Sequence, residues 1–484
     1  MNTHYLKFAS LLSSAALAGV CAANSYEYTT DADAFSFSDV QSTIRTEYSE
    51  PDFAFDDTVD LTINSNSQQQ QLSLSGISGI SLKSLTVNAT SRIRMEANDN
   101  TTVKIGELIW NQATQQWGSR LIGGNWEFGS VNIIQDGTAA NAGFCFGEAT
   151  TGALQSLKIS GNLTGKISQF RVGKNPTATY DASRWNSADI DIGGYMATLV
   201  PVTFYTYETF ESGHMYYKFG AINQSHYLGV QNRCTDENFA ATMNFMITGN
   251  ANTVSGGVAT MSGDLTTSVY NDAVNLITIA LFMNSSDGQL TQRFSGNLLQ
   301  VTGGITVTRG TLLINFRETS GRNHGNLTME GGRFGSTAAA GGNFLFTDLV
   351  YSGGAIALAI DAANETADSL TLSGTAMLAE GSNEKIFFDF SGDVDWLIDS
   401  ELNDGKGVKI VSWDSKTLES DQFAANVFES SGDTYVAQFT SESDGLYVKY
   451  VVPEPAEIAL ALGALALASA FFRREKSQAA ESEK

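Results

Sequence analysis

Across 484 residues the chain carries 52 acidic against 28 basic side chains, a formal net charge of −24. That balance argues against a nucleic-acid partner, since phosphate binding needs a basic face. At 42% apolar the sequence is too hydrophobic to stay disordered, and 46 glycines against 5 prolines suit many short strands separated by turns.

Residues 1–23 read as a Sec signal peptide: Lys7, an apolar stretch from Phe8 to Val20, then Cys21-Ala22-Ala23. Small residues at −1 and −3 place cleavage after Ala22 or Ala23. Val20 stands where a lipoprotein signal needs a small residue before Cys21. The stretch is too short for a first transmembrane helix. Once it is removed, Cys145 and Cys234 remain, enough for one disulfide in an oxidising compartment. They form no CxxC, and His214, His226 and His324 show no metal-ligand spacing, so no metal or other cofactor is expected.

The body then runs from Asn24 to Val451. The segment from Asn24 to Glu50 reads as loosely ordered. Beyond it, period-two alternation recurs at Asp60–Asn64, Gln71–Ser75, Ser84–Asn88, Ser156–Ser160, Gly304–Thr308 and Ser369–Ser373. Alternation with one apolar face predicts half-buried strands. Val202 to Phe219 predicts a hairpin about Glu211-Ser212-Gly213-His214. Its Tyr205, Tyr207, Tyr216 and Tyr217 suit cross-strand packing better than sugar stacking. Thr235 and Asn238, followed by Phe239, Met243, Met246 and Ile247, predict a short capped helix.

A turn-then-strand unit recurs at Gly161-Asn162-Leu163, Gly263-Asp264-Leu265, Gly296-Asn297-Leu298 and Gly325-Asn326-Leu327. Such spacing suits the coils of a solenoid. Within it, Phe294 to Phe316 sets Ser-Gly, then alternating Thr/Val, then Gly310-Thr311-Leu312. This stretch resembles the autotransporter-associated β-strand repeat, a likeness that implies a right-handed parallel β-helix and no catalytic activity. Asp389, Asp393, Asp395 and Asp399 form the one acidic cluster suited to catalysis. On a strand, Asp393 and Asp395 would share a face about 7 Å apart, a range open to glycoside hydrolysis. A solvated turn at Ser391-Gly392-Asp393 is the plainer reading. Phe423 to Tyr450 predicts antiparallel strands with turns at Ser431-Gly432-Asp433 and Asp444-Gly445, fit to cap a solenoid.

The C-terminus holds Pro453-Glu454-Pro455, an apolar run over 458–472, and Arg473-Arg474. As a helix the run spans about 22 Å, and snorkelling arginines help it meet a hydrocarbon core of about 30 Å. The arginines favour the cytoplasmic side. In this order the three features resemble the PEP-CTERM sorting signal of Gram-negative bacteria. The chain departs from that pattern by continuing from Glu475 to Lys484. The resemblance implies that a membrane-embedded transpeptidase, exosortase, reads Pro453, Glu454 and Pro455, while Arg473 and Arg474 form the membrane stop.

The expected protein is therefore all-β, with a parallel β-helix (solenoid)-like body over 24–451 and a single C-terminal transmembrane helix within 452–484. Its expected partners are signal peptidase, the exosortase-type enzyme, the membrane through 458–472, and extracellular polysaccharide. The role expected is structural or adhesive at the cell surface or in the matrix. The alternative is a carbohydrate-active β-helix enzyme, a polysaccharide lyase or glycoside hydrolase.

Overall fold

The computed structural model describes residues 24–453, apart from 67–68, 75–78, 91, 113–118, 136–142, 149–152, 174–176, 207–211, 234–238, 270–275, 299–300, 316–322 and 338–340. Of the described residues 58% are strand and 8% helix, so the protein is all-β, with long parallel sheets in a solenoid-like body. Two compact units divide the stretch expected as one body. The first takes the chain up to Ala338 with Leu345–Val350; the second takes Ala339–Phe344 and the chain from Tyr351 on.

In the first unit the chain alternates between two faces, and up to Leu265–Val269 successive coils add parallel strands to both; beyond it the strands join the long-strand face alone. One face stacks the long strands, from Asn24–Thr30 and Val59–Ser65 through Gly213–Ile222 and Ala240–Ile247 to Leu327–Ser336. A single column shows its register: Ile80, Val103, Trp126, Leu157, Ile190, Tyr217, Phe245, Leu281, Ile305 and Leu327 are successive partners. All are buried. The other face stacks short strands from Ala34–Ser36 to Leu265–Val269. Its inward column includes Phe146, Phe170 and Phe204, whose rings stack at 5.1 and 4.9 Å. Identical register one rung apart brings like side chains face to face, since a rung is about 4.8 Å. The core lies where the two faces meet, as Trp110 packs on Phe144 at 4.9 Å and Phe204 on Tyr217 at 5.0 Å.

Three local expectations are corrected. Val202–Tyr205 and Gly213–Ile222 do not form a hairpin. Each is paired in parallel within a different face, the first with Ile167–Phe170 and Leu228–Asn232, the second with Ile190–Thr198 and Ala240–Ile247. Their aromatic residues meet across the core rather than across a ladder. The helix expected near 235–247 is a strand over Ala240–Ile247. Met243, Phe245 and Ile247 point into the core, while Met246 is covered on the outer face. A strand buried on both faces loses its alternation, and that loss imitated helical spacing. The segment from Asn24 to Glu50 is ordered, holding strand Asn24–Thr30 and helix Phe37–Glu47. Ser36 and Asp39 form a capping box at the helix start, with bonds of 3.1 and 2.7 Å. Phe37, Val40 and Ile44 make its fully buried stripe.

The second unit begins parallel and ends antiparallel. Leu349–Asp361 pairs in parallel with Ile386–Gly392, which pairs with Phe423–Ala425. Val408–Trp413 is parallel to Ser369–Leu372 on one edge and antiparallel to Gly445–Val451 on the other. Asp433–Glu442 and Phe428–Ser430 complete the predicted antiparallel set. Ser431 and Gly432 turn it with φ of 55° and 91°, as a two-residue hairpin requires.

Candidate functional site

Strand Gly445–Val451 delivers the chain directly to Pro453. Val451 still pairs with Val436, Val452 is exposed and Pro453 is half-buried. Glu454, Pro455, residues 458–472, Arg473 and Arg474 lie outside the described residues, as do Ala22, Ala23 and Cys234. The expected transmembrane helix falls there; among the described residues no helix is long and apolar enough to cross a membrane.

Cys145 is a buried free thiol, its Sγ 3.7 Å from Ser168 Oγ. Burial pushes its pKa up. Its register partners run Gln169, Thr203, Gly229, so it lies three rungs from the strand that leads toward Cys234.

The acidic cluster does not assemble as a pair on one strand. Gly392, with φ of 87°, ends strand Ile386–Gly392. Asp393 then precedes a 3-10 turn over Val394–Leu397 that contains Asp395. Asp393 Oδ2 accepts from the Ala362 backbone N–H at 3.2 Å. Asp399 turns away with φ of 45°, and Asp389 alone stays on the strand. The tyrosines pack: Tyr216 and Tyr217 are fully buried, Tyr205 lies between the guanidiniums of Arg171 and Arg233 at 4.6 and 4.7 Å, and Tyr207 is outside the described residues.

What the structure builds instead is a ruled outer surface on the long-strand face of the first unit. Lys104, Glu127, Lys158, Asp191 and Lys218 are successive register partners, a ladder of alternating charge. Its ion pairs include Lys104–Glu127 at 3.3 Å and Lys218–Asp191 at 2.7 Å. Two or three residues further along each strand stands a glycine: Gly106, Gly129, Gly161, Gly193 and Gly220. A Cβ on Gly129 would lie 2.0 Å from the Gly106 carbonyl oxygen, and one on Gly220 2.2 Å from that of Gly193. The coils therefore touch backbone to backbone along this line. Gly106 and Gly129 floor a groove of about 450 Å³ edged by Asp57, Lys83, Lys104, Glu127 and Lys158.

A second column is an amide ladder. Asn111 donates to Asn88 at 2.7 Å, Asn88 to Asn64 at 2.8 Å, and Asn64 to Glu27. It lines a groove of about 470 Å³. A third groove, about 620 Å³, lies over His214, Thr242 and Thr278. Among the described residues no group of three or more His, Cys, Asp or Glu side chains is placed to hold a metal ion.

No protein-family model, curated protein or solved structure matches the chain.

Proposed function

We propose that the chain is an exported, C-terminally sorted surface protein whose body is a parallel β-helix with a structural or adhesive role. Signal peptidase would release residues 1–22 or 1–23. An exosortase-type transpeptidase would read Pro453, Glu454 and Pro455 while the helix over 458–472 sits in the membrane against Arg473 and Arg474. The observation that carries this reading is the order at the C-terminus: a paired strand to Val451, the Pro-Glu-Pro motif, an apolar run and two arginines. Pro453 and Pro455 disfavour helix at the residues before them, Val452 and Glu454, which would keep the motif out of the membrane helix.

The groove linings support an adhesive body over a polysaccharide-cleaving one. Asp57 and Glu127 share their groove with three lysines, and the described linings of the other two contain no carboxylate. Replacing Pro453, Glu454 and Pro455 by alanine tests the sorting. The variant should accumulate uncleaved in the inner membrane, followed by fractionation with an antibody to the body. Equal arrival of wild type and variant at the surface with the tail attached would leave only a tail anchor.

A further inference from the structure

We propose that the groove over His214, Thr242 and Thr278 binds an uncharged oligosaccharide, with one pyranose ring lying against Tyr180. The proposal rests on the adhesive reading above, for which it supplies a ligand class.

The floor is a polar row in register. His214, Thr242 and Thr278 are partners on three successive strands, all half-buried and outward-facing. Rungs repeat at about 4.8 Å, a step close to the length of one pyranose ring. Thr242 Oγ1 and Thr278 Oγ1 are 3.0 Å apart, so one donates to the other and each keeps further capacity for a sugar hydroxyl.

Ala178 lines one side of the groove, and the segment that carries it on to Tyr180, beside the groove, is pinned at both ends. Thr177 and His214 exchange backbone hydrogen bonds of 3.1 and 2.7 Å. Trp185 packs edge-on against Tyr216 at 5.0 Å. Between these anchors Tyr180 is fixed three ways. Trp185 Nε1 donates to its hydroxyl at 3.1 Å, its ring stacks on Phe282 at 5.6 Å and 8°, and it meets the His214 ring edge-to-face at 6.0 Å. It nevertheless stays 46% exposed. An aromatic ring already held in place loses little rotamer freedom when a ligand covers it. Its free surface suits the apolar face of a sugar.

Hydroxyls and an aromatic face are what the described residues offer a ligand here. The chain carries −24 overall, yet the described lining of this groove contains no Asp, Glu, Lys or Arg. A neutral sugar needs hydroxyl partners and an apolar platform, and both are present.

The test titrates the purified full-length protein in detergent with cellohexaose, xylohexaose and mannohexaose by calorimetry, and with hexagalacturonate as the charged comparison. At least one neutral hexamer should bind saturably. Tyr180→Ala should weaken it at least about tenfold, and Thr242→Val with Thr278→Val at least about fivefold. Both variants should still unfold cooperatively in urea well above the titration conditions, with a lower midpoint for Tyr180→Ala because it gives up the Trp185 hydrogen bond and the Phe282 stack. Absence of binding by all three neutral hexamers to about 10 mM, unchanged binding in Tyr180→Ala, or tighter binding of hexagalacturonate would overturn the assignment. None of those results bears on cell fractionation of the Pro-Glu-Pro variant, so the glycan site and the sorting reading fail separately.

Discussion

Gly129→Ala is the sharpest probe of how the coils are held. The added Cβ would lie 2.0 Å from the Gly106 carbonyl oxygen and 3.0 Å from its carbon, both of them backbone. No rotamer change relieves such a contact, so the two rungs must part by more than about 1 Å to reach ordinary contact. Opening a ladder by that much takes N···O distances near 2.9 Å beyond about 3.5 Å, where the bond is lost. Gly106 is exposed and Gly129 half-buried, so water can take up a freed group; each lost hydrogen bond then costs about 0.5–1.5 kcal/mol and the overpacking about 1–3 kcal/mol. For two bonds lost the expected loss is about 2–6 kcal/mol, a large share of a typical stability. Gly229→Ala is the matched control. Its new Cβ would meet nothing closer than 3.6 Å, so it should fall within about 1 kcal/mol of wild type. Urea unfolding read by tryptophan fluorescence suits the comparison, because buried Trp126 shares the strand Asn125–Gln135 with Gly129. If Gly129→Ala unfolds within about 1 kcal/mol of wild type, or Gly229→Ala is equally damaging, the backbone contact does not set the coil spacing.

Three further outcomes follow from buried groups. Burial lowers the pKa of His324, whose Nδ1 lies 2.8 Å from the Val301 carbonyl oxygen; the unfolded chain then binds more protons at this residue below about pH 6.5, so its contribution to stability should hold above that pH and fall as pH drops through the folded value, and a urea midpoint that changes between pH 7.5 and pH 5 identically in wild type and His324→Gln would refute it. Fully buried Asp368 accepts from the Gly342 and Ala359 backbone N–H groups at 2.8 and 2.9 Å; Asp368→Ala orphans both, and thermal unfolding should show a loss of about 2–6 kcal/mol. Cys145 is a free buried thiol, so it should titrate with Ellman's reagent once the mature protein is unfolded without reductant, and finding no titratable thiol would refute it.

Alternation was enough to read the strands whose outer face meets water, as at Asp60–Asn64 and Ser84–Asn88, and turn chemistry was enough at Ser431-Gly432. It failed where a second layer covers the strand. Met246 and Tyr216 are outward-facing but buried under Trp185, and the sequence around them lost its period. It also failed at the N-terminus, where the polar face of helix Phe37–Glu47 outweighed a stripe of only three apolar residues. The ruled surface did leave a trace that strand-by-strand reading passes over. Lys104-Ile105-Gly106, Glu127-Phe128-Gly129, Asp191-Ile192-Gly193 and Lys218-Phe219-Gly220 share one pattern, charged–apolar–glycine, and Lys158-Ile159-Ser160-Gly161 is that pattern with one insertion. The charged residue faces out, the apolar one fills the core and the glycine lets the next coil close. Its sign alternates because parallel in-register stacking would otherwise set like charges one rung apart. The groove over His214 has no such trace. Its floor comes from residues that share nothing in local sequence, and only the stacking of coils of unequal length brings His214, Thr242 and Thr278 into one row beside Tyr180.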